Sequence, residues 1–506
     1  MRDILTASFL GAGPIADAFF IALKLPNFFR RITAEGAFSV SFVPMFSKML
    51  EAKGENKSKQ FAEEAQAMMI AILLPFTIVC IVAMPWVLYV VAPGIYNDPM
   101  RFDLAVEFSR LTFPYIMMIS LTALLGGVLN SLNRFVAFAA APILFNVALI
   151  GSLLLGGDFL KTNGHALSYG VFAAGVIQFI WMLYNSWRSG FLLKLRVPKV
   201  TPQMRKLYKR MVPGIVGAGA VQVNLFIDMV LASLLPVGSI SLLYYADRLY
   251  QLPLGVIGVA IGTALLPMLS KSLTANDGSS KKLFGNAFET ALALSLPAAI
   301  GLIFISQPII AVLFERGEFT RINTIQSSYA LMAYSLGIPA YVLSRVFSVA
   351  YFAREDTKTP VKFAIICAVI NIVLALILIS PLKHVGIALA TGITAWINLF
   401  LLVRGLSKRN NLELSSKTAK RTAKIILSGI IMAGLLWSFN YFVFDIISVK
   451  CQVRRAVELA MLIIGSAVRY FLCLYLLGVF NLLSIKSLFP NKRKKQQAMI
   501  EESHMD

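Results

Sequence analysis

The chain has 506 residues, of which 58% are hydrophobic and only 14% charged, with a mean hydropathy of +0.75. This composition lies outside the range of soluble globular proteins and marks a polytopic membrane protein. The net charge of +22 does not point to nucleic acid: the basic residues sit in short loops between apolar runs, the distribution of cytoplasmic loops that face anionic headgroups.

Apolar runs of spanning length, about 20 residues, recur along the whole chain, which excludes a single anchor; barrel strands would instead alternate apolar and polar over about ten residues. The expected fold is therefore all-α. Met1, Arg2 and Asp3 lead into an apolar stretch too short to span, so the chain is expected to begin inside a helix. Next comes Asp17 to Lys48, an apolar segment with too many charges for its kind: Asp17, Lys24, Arg30, Arg31 and Glu35. Charge at bilayer depth is costly and usually faces a protein interior or a wet cavity. With Pro26 removing a backbone donor and Gly36 loosening the helix, a bent or broken helix presenting guanidinium groups to a cavity is expected. The alternative is a helix end whose arginines snorkel to the headgroups.

A basic loop with Lys48, Lys53, Lys57 and Lys59 follows, then apolar runs at 62–92, 104–130, 135–156 and 166–187. The loop from Arg188 to Arg210 contains basic residues and no acid, and should be cytoplasmic. Spans resume at 211–235, 240–270, 284–313, 325–352, 359–380 and 385–403, before a second basic loop from Arg404 to Lys424. Spans at 425–444 and 456–483 precede a tail with Lys492, Arg493, Lys494 and Lys495, also expected to be cytoplasmic. Loops assigned outside are nearly neutral: Asp98, Arg101 and Asp103 in one, Glu315, Arg316, Glu318 and Arg321 in another. Lys450, Arg454 and Arg455 break this pattern. Glu107 and Arg110 read as an i, i+3 pair, and Arg345 and Arg469 as snorkelling side chains.

The two halves repeat. FVPMFSK at Phe42 to Lys48 recurs as LLPMLSK at Leu265 to Lys271; KLP at Lys24 to Pro26 is echoed by QLP at Gln251 to Pro253. The prolines of the next span agree at nearly the same offset, Pro75 and Pro85 against Pro297 and Pro308. Such a parallel duplication of six spans fits transporters built from two bundles that rock about a site between them. By the repeat, Asp247 and Arg248 face the same interface as the opening segment, and Arg248 with Arg30 and Arg31 would grip a phosphate or diphosphate through charge-assisted bonds. Pairing with a nearby carboxylate, to orient the helix, is the competing role. Asp228 is the lone acid of its span and needs a partner, a proton or a bound cation, so it reads as a coupling-ion site or a structural acid.

Cys80, Cys367, Cys451 and Cys473 have no metal or dithiol spacing and read as small apolar residues. No phosphate-loop motif accompanies the spans, and His165, His384 and His504 stand apart without a catalytic signature. Neither an ATP-driven pump nor an enzyme is expected.

ADAFFIALKLPNFFRRITAEGAFSVSFVP and YYADRLYQLPLGVIGVAIGTALLPMLSK, with REDTKTPVK at Arg354 to Lys362 and PLKHVG at Pro381 to Gly386, closely resemble the MurJ/MviN family. These are the lipid II flippases of the multidrug/oligosaccharidyl-lipid/polysaccharide exporter superfamily. The resemblance implies about fourteen transmembrane helices: an N-lobe at 1–195 with an incomplete first helix, a C-lobe at 196–410, a C-terminal helix pair at 411–485 and a basic cytoplasmic tail at 486–506. The family's first helix begins about twenty residues earlier, so this chain starts at the equivalent of mid-helix. The resemblance also implies that Arg2, Asp3, Arg30 and Arg248 are the family's essential arginines and aspartate, and that Asp228, Asn371 and Thr394 form a cation site. An acid that some members carry three positions after Arg248 is Gln251 here.

The expected function is translocation of lipid II, the undecaprenyl-diphosphate-linked peptidoglycan precursor, by alternating access in a bacterial inner membrane, with both termini cytoplasmic. Arg2, Asp3, Asp17, Lys24, Arg30, Arg31, Asp247 and Arg248 are the expected substrate-site residues. No cofactor is expected beyond sodium or proton coupling; lipid II and membrane lipids are the expected partners, with peptidoglycan synthesis proteins as further candidates. A multidrug or other lipid-linked oligosaccharide exporter is the first alternative, and the cation excess argues against cationic drugs. A non-transporting scaffold for peptidoglycan enzymes is the second.

Overall fold

The computed structural model describes residues 1–157, 159–275, 279–408, 416–448 and 452–479. Arg409, Glu413, Lys450, Cys451, His504 and the basic tail with Lys492 to Lys495 lie outside the described residues, as does the Glu35 side chain. In chain order the helices are α1 (Arg2–Leu10), α2 (Pro14–Arg30), α3 (Ser39–Val82), α4 (Met84–Val91), α5 (Pro99–Thr112), α6 (Tyr115–Ser131), α7 (Phe135–Gly156), α8 (Asn163–Arg188) and α9 (Pro202–Ser233). They continue as α10 (Ser239–Pro253), α11 (Val259–Ala275), α12 (Ser279–Phe304), α13 (Ser306–Phe314), α14 (Arg321–Ser335), α15 (Ile338–Phe352), α16 (Lys358–Leu382), α17 (His384–Ser407), α18 (Ser416–Ser448) and α19 (Gln452–Leu476). The fold is all-α. Among the described residues ten helical stretches are long and apolar enough to cross a membrane. The charged α2 and α10, of 17 and 15 residues, are not among them.

Among the described residues two wide π-helical stretches interrupt the ladder, at Arg31–Phe38 and Leu254–Gly258. Each lies between a Leu-Pro step and a Pro-Met-x-Ser-Lys sequence, so both copies of the repeated motif carry the same local irregularity. The break expected from Pro26 and Gly36 falls at Arg31–Phe38, which holds Gly36; at Pro26 itself the helix finds a substitute bond. Pro26 has no N–H to give Ala22 O, and the Thr112 hydroxyl donates to that carbonyl at 2.9 Å. The freed carbonyl is satisfied and α2 runs on to Arg30.

The basic segments are more helical than their charge suggested. Thr201 caps α9 through Met204 N, so Arg205, Lys206, Lys209 and Arg210 lie on its opening turns; Lys417, Lys420, Arg421 and Lys424 do the same on α18. The corner at Lys53 to Lys57 turns on Gly54, whose φ of 74° and ψ of −180° are open to glycine alone.

The chain packs as two compact units. Unit 1 comprises Met1–Leu249, Leu313–Tyr334 and Val361–Thr394; unit 2 comprises Tyr250–Val312, Ser335–Pro360 and the described part of Ala395–Asp506. In unit 1, α6 is apolar and buried nearly all round, whereas α7 leaves Val136, Ile143, Val147 and Leu155 exposed, the pattern of a central helix and a lipid-facing one. Loops assigned outside by charge gather at one end of this unit. Glu318 N donates to Ser8 O at 2.8 Å, Asn163 Nδ2 to Phe9 O at 3.3 Å, and Gly94 N to Ser233 Oγ at 3.1 Å. Gly11 has φ 60°, and a Cβ there would lie 2.4 Å from Glu318 O. The opposite end holds stacked rings of Phe38, Phe42, Phe46 and Phe61, where buried Glu63 accepts from Lys194 N and Arg196 Nε.

Unit 2 is built around α12, packed against α11, α15 and α18. Phe284 and Phe288 meet Phe347 at 5.2 and 6.0 Å, and Arg421 pairs with Glu289 at 3.1 Å. Arg345 is exposed and passes its stem over Gly258 in the second π stretch. Arg454 bonds Glu458 at 2.8 Å, one turn along α19, which offsets part of the charge excess noted there.

Candidate functional site

All eleven expected site residues belong to unit 1. Arg2 and Asp3 open α1, where a carboxylate is favoured by the exposed N–H groups of a first turn. Arg2 Nε and Nη2 both reach Asp3 Oδ1, at 3.0 and 2.7 Å. From α10, Tyr244 and Arg248 stand four residues apart and so share a face. Arg248 Cζ lies 4.6 Å from the Tyr244 ring centroid, a cation–π contact. The Tyr244 hydroxyl is 3.3 Å from Asp3 Oδ1 and 3.4 Å from Arg2 Nη2, and its ring stacks on Phe20 of α2 at 3.9 Å. Two arginines distant in sequence thus meet on one tyrosine. Arg248 Nε is buried without a hydrogen-bond partner among the described residues, a donor still to be used.

Asp17 is spent differently. It is fully buried, and its oxygens accept from Arg101 Nη2 at 3.0 Å, Gly238 N at 2.7 Å, Ser241 N at 2.9 Å and the Ser241 hydroxyl. Two of these donors are backbone amides at the start of α10, so Asp17 of α2 caps a helix that it does not belong to. Arg101, read from sequence as a loop charge, is a buried structural cation.

Lys24, half-buried on α2, lies within electrostatic reach of Asp228 and Asp247. Asn224 Oδ1 and Asp228 Oδ1, one turn apart on α9, are buried and accept no hydrogen bond among the described residues. Asn371 Oδ1 is orphaned in the same way, while its amide reaches Thr391 Oγ1 at 3.5 Å; Thr394 donates to Ala390 O at 2.7 Å. Unsatisfied buried oxygens suit a cation or an ordered water. Arg30 Nε donates to Asn27 Oδ1 at 3.1 Å, and Arg31 is exposed at the start of the π stretch.

A family profile described as lipid II flippase MurJ matches residues 6–455. The chain belongs to the MurJ family. It is 38% identical to a probable lipid II flippase MurJ of Rhizobium tropici, over 97% of this chain and 93% of that protein. A lipid II flippase MurJ of Burkholderia cenocepacia is 32% identical over 94% of this chain and 93% of its own length. Among solved structures, a lipid II flippase MurJ in an inward closed conformation superposes with a TM-score of 0.78 at 27% identity, covering 93% of this chain and 94% of that one. A multidrug transporter of the MATE family shares the fold, with a TM-score of 0.67 at 15% identity, over 82% of this chain and 95% of its own.

In this MurJ-family chain the geometry brings Arg2, Asp3 and Arg248 together on Tyr244. The expected Glu107–Arg110 pair does not form: Glu107 bonds His165 Nε2 at 2.9 Å, and Arg110 Nε donates to Ile81 O at 3.1 Å. Tyr244, Phe20, Arg101 and Ser241 were missed. For Tyr244 a signal existed, since it stands one helical turn before Arg248; for Arg101 and Ser241 only the fold could reveal the partner.

Proposed function

We propose that this chain is a lipid II flippase, moving the undecaprenyl-diphosphate-linked precursor from the cytoplasmic to the periplasmic leaflet by alternating access, as a multi-pass protein of the bacterial inner membrane. Family membership supplies the substrate. The observation that carries the reading in this chain is the convergence of Arg2 and Arg248 on Tyr244, since two guanidinium groups at one place suit the two phosphates of a diphosphate. Cationic drugs would meet like charge at these arginines, which disfavours multidrug export despite the shared fold.

Turnover on this reading is of the secondary type, without ATP hydrolysis by the chain, and both termini are cytoplasmic. Asp228, Asn371 and Thr394 would hold a monovalent cation through oxygen donors; the orphaned oxygens of Asp228 and Asn371 fit such a role. Such an ion would supply a coupling charge. Lys24 is the competing partner of Asp228. Recruitment of peptidoglycan synthesis proteins is a further proposed association.

Reconstituted flipping of purified lipid II by the chain tests the substrate. Movement of lipid II that is abolished by Arg248→Ala is expected. A wild-type protein that leaves lipid II in its original leaflet would sink the assignment.

A further inference from the structure

Adjacent tyrosines on α10 do different jobs. Tyr245 is buried and donates its hydroxyl to a backbone carbonyl, Gly11 O, at 3.1 Å, as a core tyrosine does. Tyr244 is buried too, yet its hydroxyl meets charged side chains and not a carbonyl. Its hydroxyl touches both Arg2 and Asp3 of α1, and its ring carries the Arg248 guanidinium. A stacked ring at 3.9 Å and a guanidinium at 4.6 Å cannot share one face, so the ring is held between Phe20 and Arg248. The hydroxyl, able to donate and to accept, links α1 to that sandwich.

We propose that Tyr244 is a positioning residue of the diphosphate site, fixing the two guanidinium groups relative to one another before the substrate arrives. This deepens the flippase reading and rests on it for the identity of the lipid. Arginine carries large rotamer freedom, and an arginine already held on a ring face loses less of it when a phosphate binds. Arg248 Nε, buried and unsatisfied, is the donor that a phosphate oxygen would complete. Asp3 Oδ1 takes two donors from Arg2 and lies beside the tyrosine hydroxyl, so it occupies Arg2 until a stronger anion competes. In that exchange the hydroxyl would turn from the carboxylate to a phosphate oxygen, with no change in the ring's place between Phe20 and Arg248.

The test compares Tyr244→Phe, Tyr244→Leu and Tyr245→Phe in the full-length chain, with two readouts. The first is lipid II flipping in proteoliposomes, fitted for half-saturating lipid and maximal rate. The second is binding of inorganic diphosphate to the purified protein in detergent. Tyr244→Phe keeps the ring and should weaken diphosphate binding about threefold, while Tyr244→Leu removes ring and hydroxyl and should weaken it about tenfold. Half-saturating lipid II should rise in parallel, with the maximal rate changed less. Tyr245→Phe should lower thermal stability without changing either affinity. Wild-type affinities in Tyr244→Leu would overturn the proposal, as would a wild-type protein that binds no diphosphate. Should the wild type bind diphosphate in a Tyr244-dependent way yet fail to flip lipid II, the positioning role stands and the lipid assignment falls.

Discussion

Ser241 donates both its backbone N–H and its hydroxyl to one oxygen of Asp17, 224 residues earlier in the chain. Arg101 and Gly238 N hold the other oxygen. A carboxylate with four donors and no exposure joins α2, α5 and the start of α10. Its removal leaves a buried guanidinium without a counter-charge, which is the costly half of breaking a buried pair.

Asp17→Asn should therefore lower the unfolding free energy in detergent by about 3 kcal/mol. Replacing both charges, as Asp17→Asn with Arg101→Met, should restore part of that loss. Additive losses in the double variant would show that the two side chains do not act as a pair.

A second prediction concerns Pro26. The carbonyl it frees, Ala22 O, is served by Thr112 Oγ1, so Thr112→Val should cost about 1–2 kcal/mol by leaving a buried acceptor unpaired. Pro26→Ala returns an N–H to that carbonyl. In the Pro26→Ala background Thr112→Val should cost much less, and an equal cost in both backgrounds would separate the threonine from the proline.

These two cases show what could be read from sequence and what could not. The excess charge of α2 and the broken helix beyond it were legible, because Pro, Gly and ionisable residues stand out against an apolar run. The all-α membrane class followed from composition and run length. Asp17 was grouped with the cationic residues because its partners lie 84 and 224 residues away, and no local pattern announces a helix cap supplied in trans. The break falls on the Gly36 side of the charged segment and not at Pro26, where Thr112, which no local pattern announces, stands opposite the proline. Tyr244 was not singled out beside Arg248; only the packing of α1 against α10 gives its hydroxyl two charged partners.

A third prediction tests the basic end of unit 1. Buried Glu63 accepts from Lys194 N at 3.0 Å and from Arg196 Nε, and Glu64 accepts from Thr201 Oγ1 at 2.8 Å, so two adjacent carboxylates tie down the segment between α8 and α9. Glu63→Ala should loosen that segment and speed tryptic cleavage after Lys194, Arg196 and Lys199 several-fold, with the melting temperature of the remainder nearly unchanged. Cleavage at the wild-type rate would mean that Glu64 and Thr201 suffice.

The last prediction concerns energy coupling. A diphosphate lipid carries at least two negative charges, and the membrane potential is worth about 2.3 kcal/mol per charge per 100 mV, so an interior-negative potential favours its outward movement. Resetting the arginine-rich empty site is the other half of the cycle. An ion bound at Asp228 can bias that step only if it binds one state more tightly than the other. Lys24, within electrostatic reach of Asp228, is an internal cation able to take the same place. Asp228→Asn should then flip lipid II with its dependence on potential intact and its dependence on the sodium or proton gradient lost. Lys24→Gln should act the other way, lowering the ion concentration that gives half-maximal stimulation, because the competitor for the carboxylate is gone. Flipping rates in proteoliposomes with the potential clamped and each ion gradient varied separate these outcomes. A gradient dependence in Asp228→Asn equal to that of the wild type would remove Asp228 from coupling and leave the flippase assignment untouched.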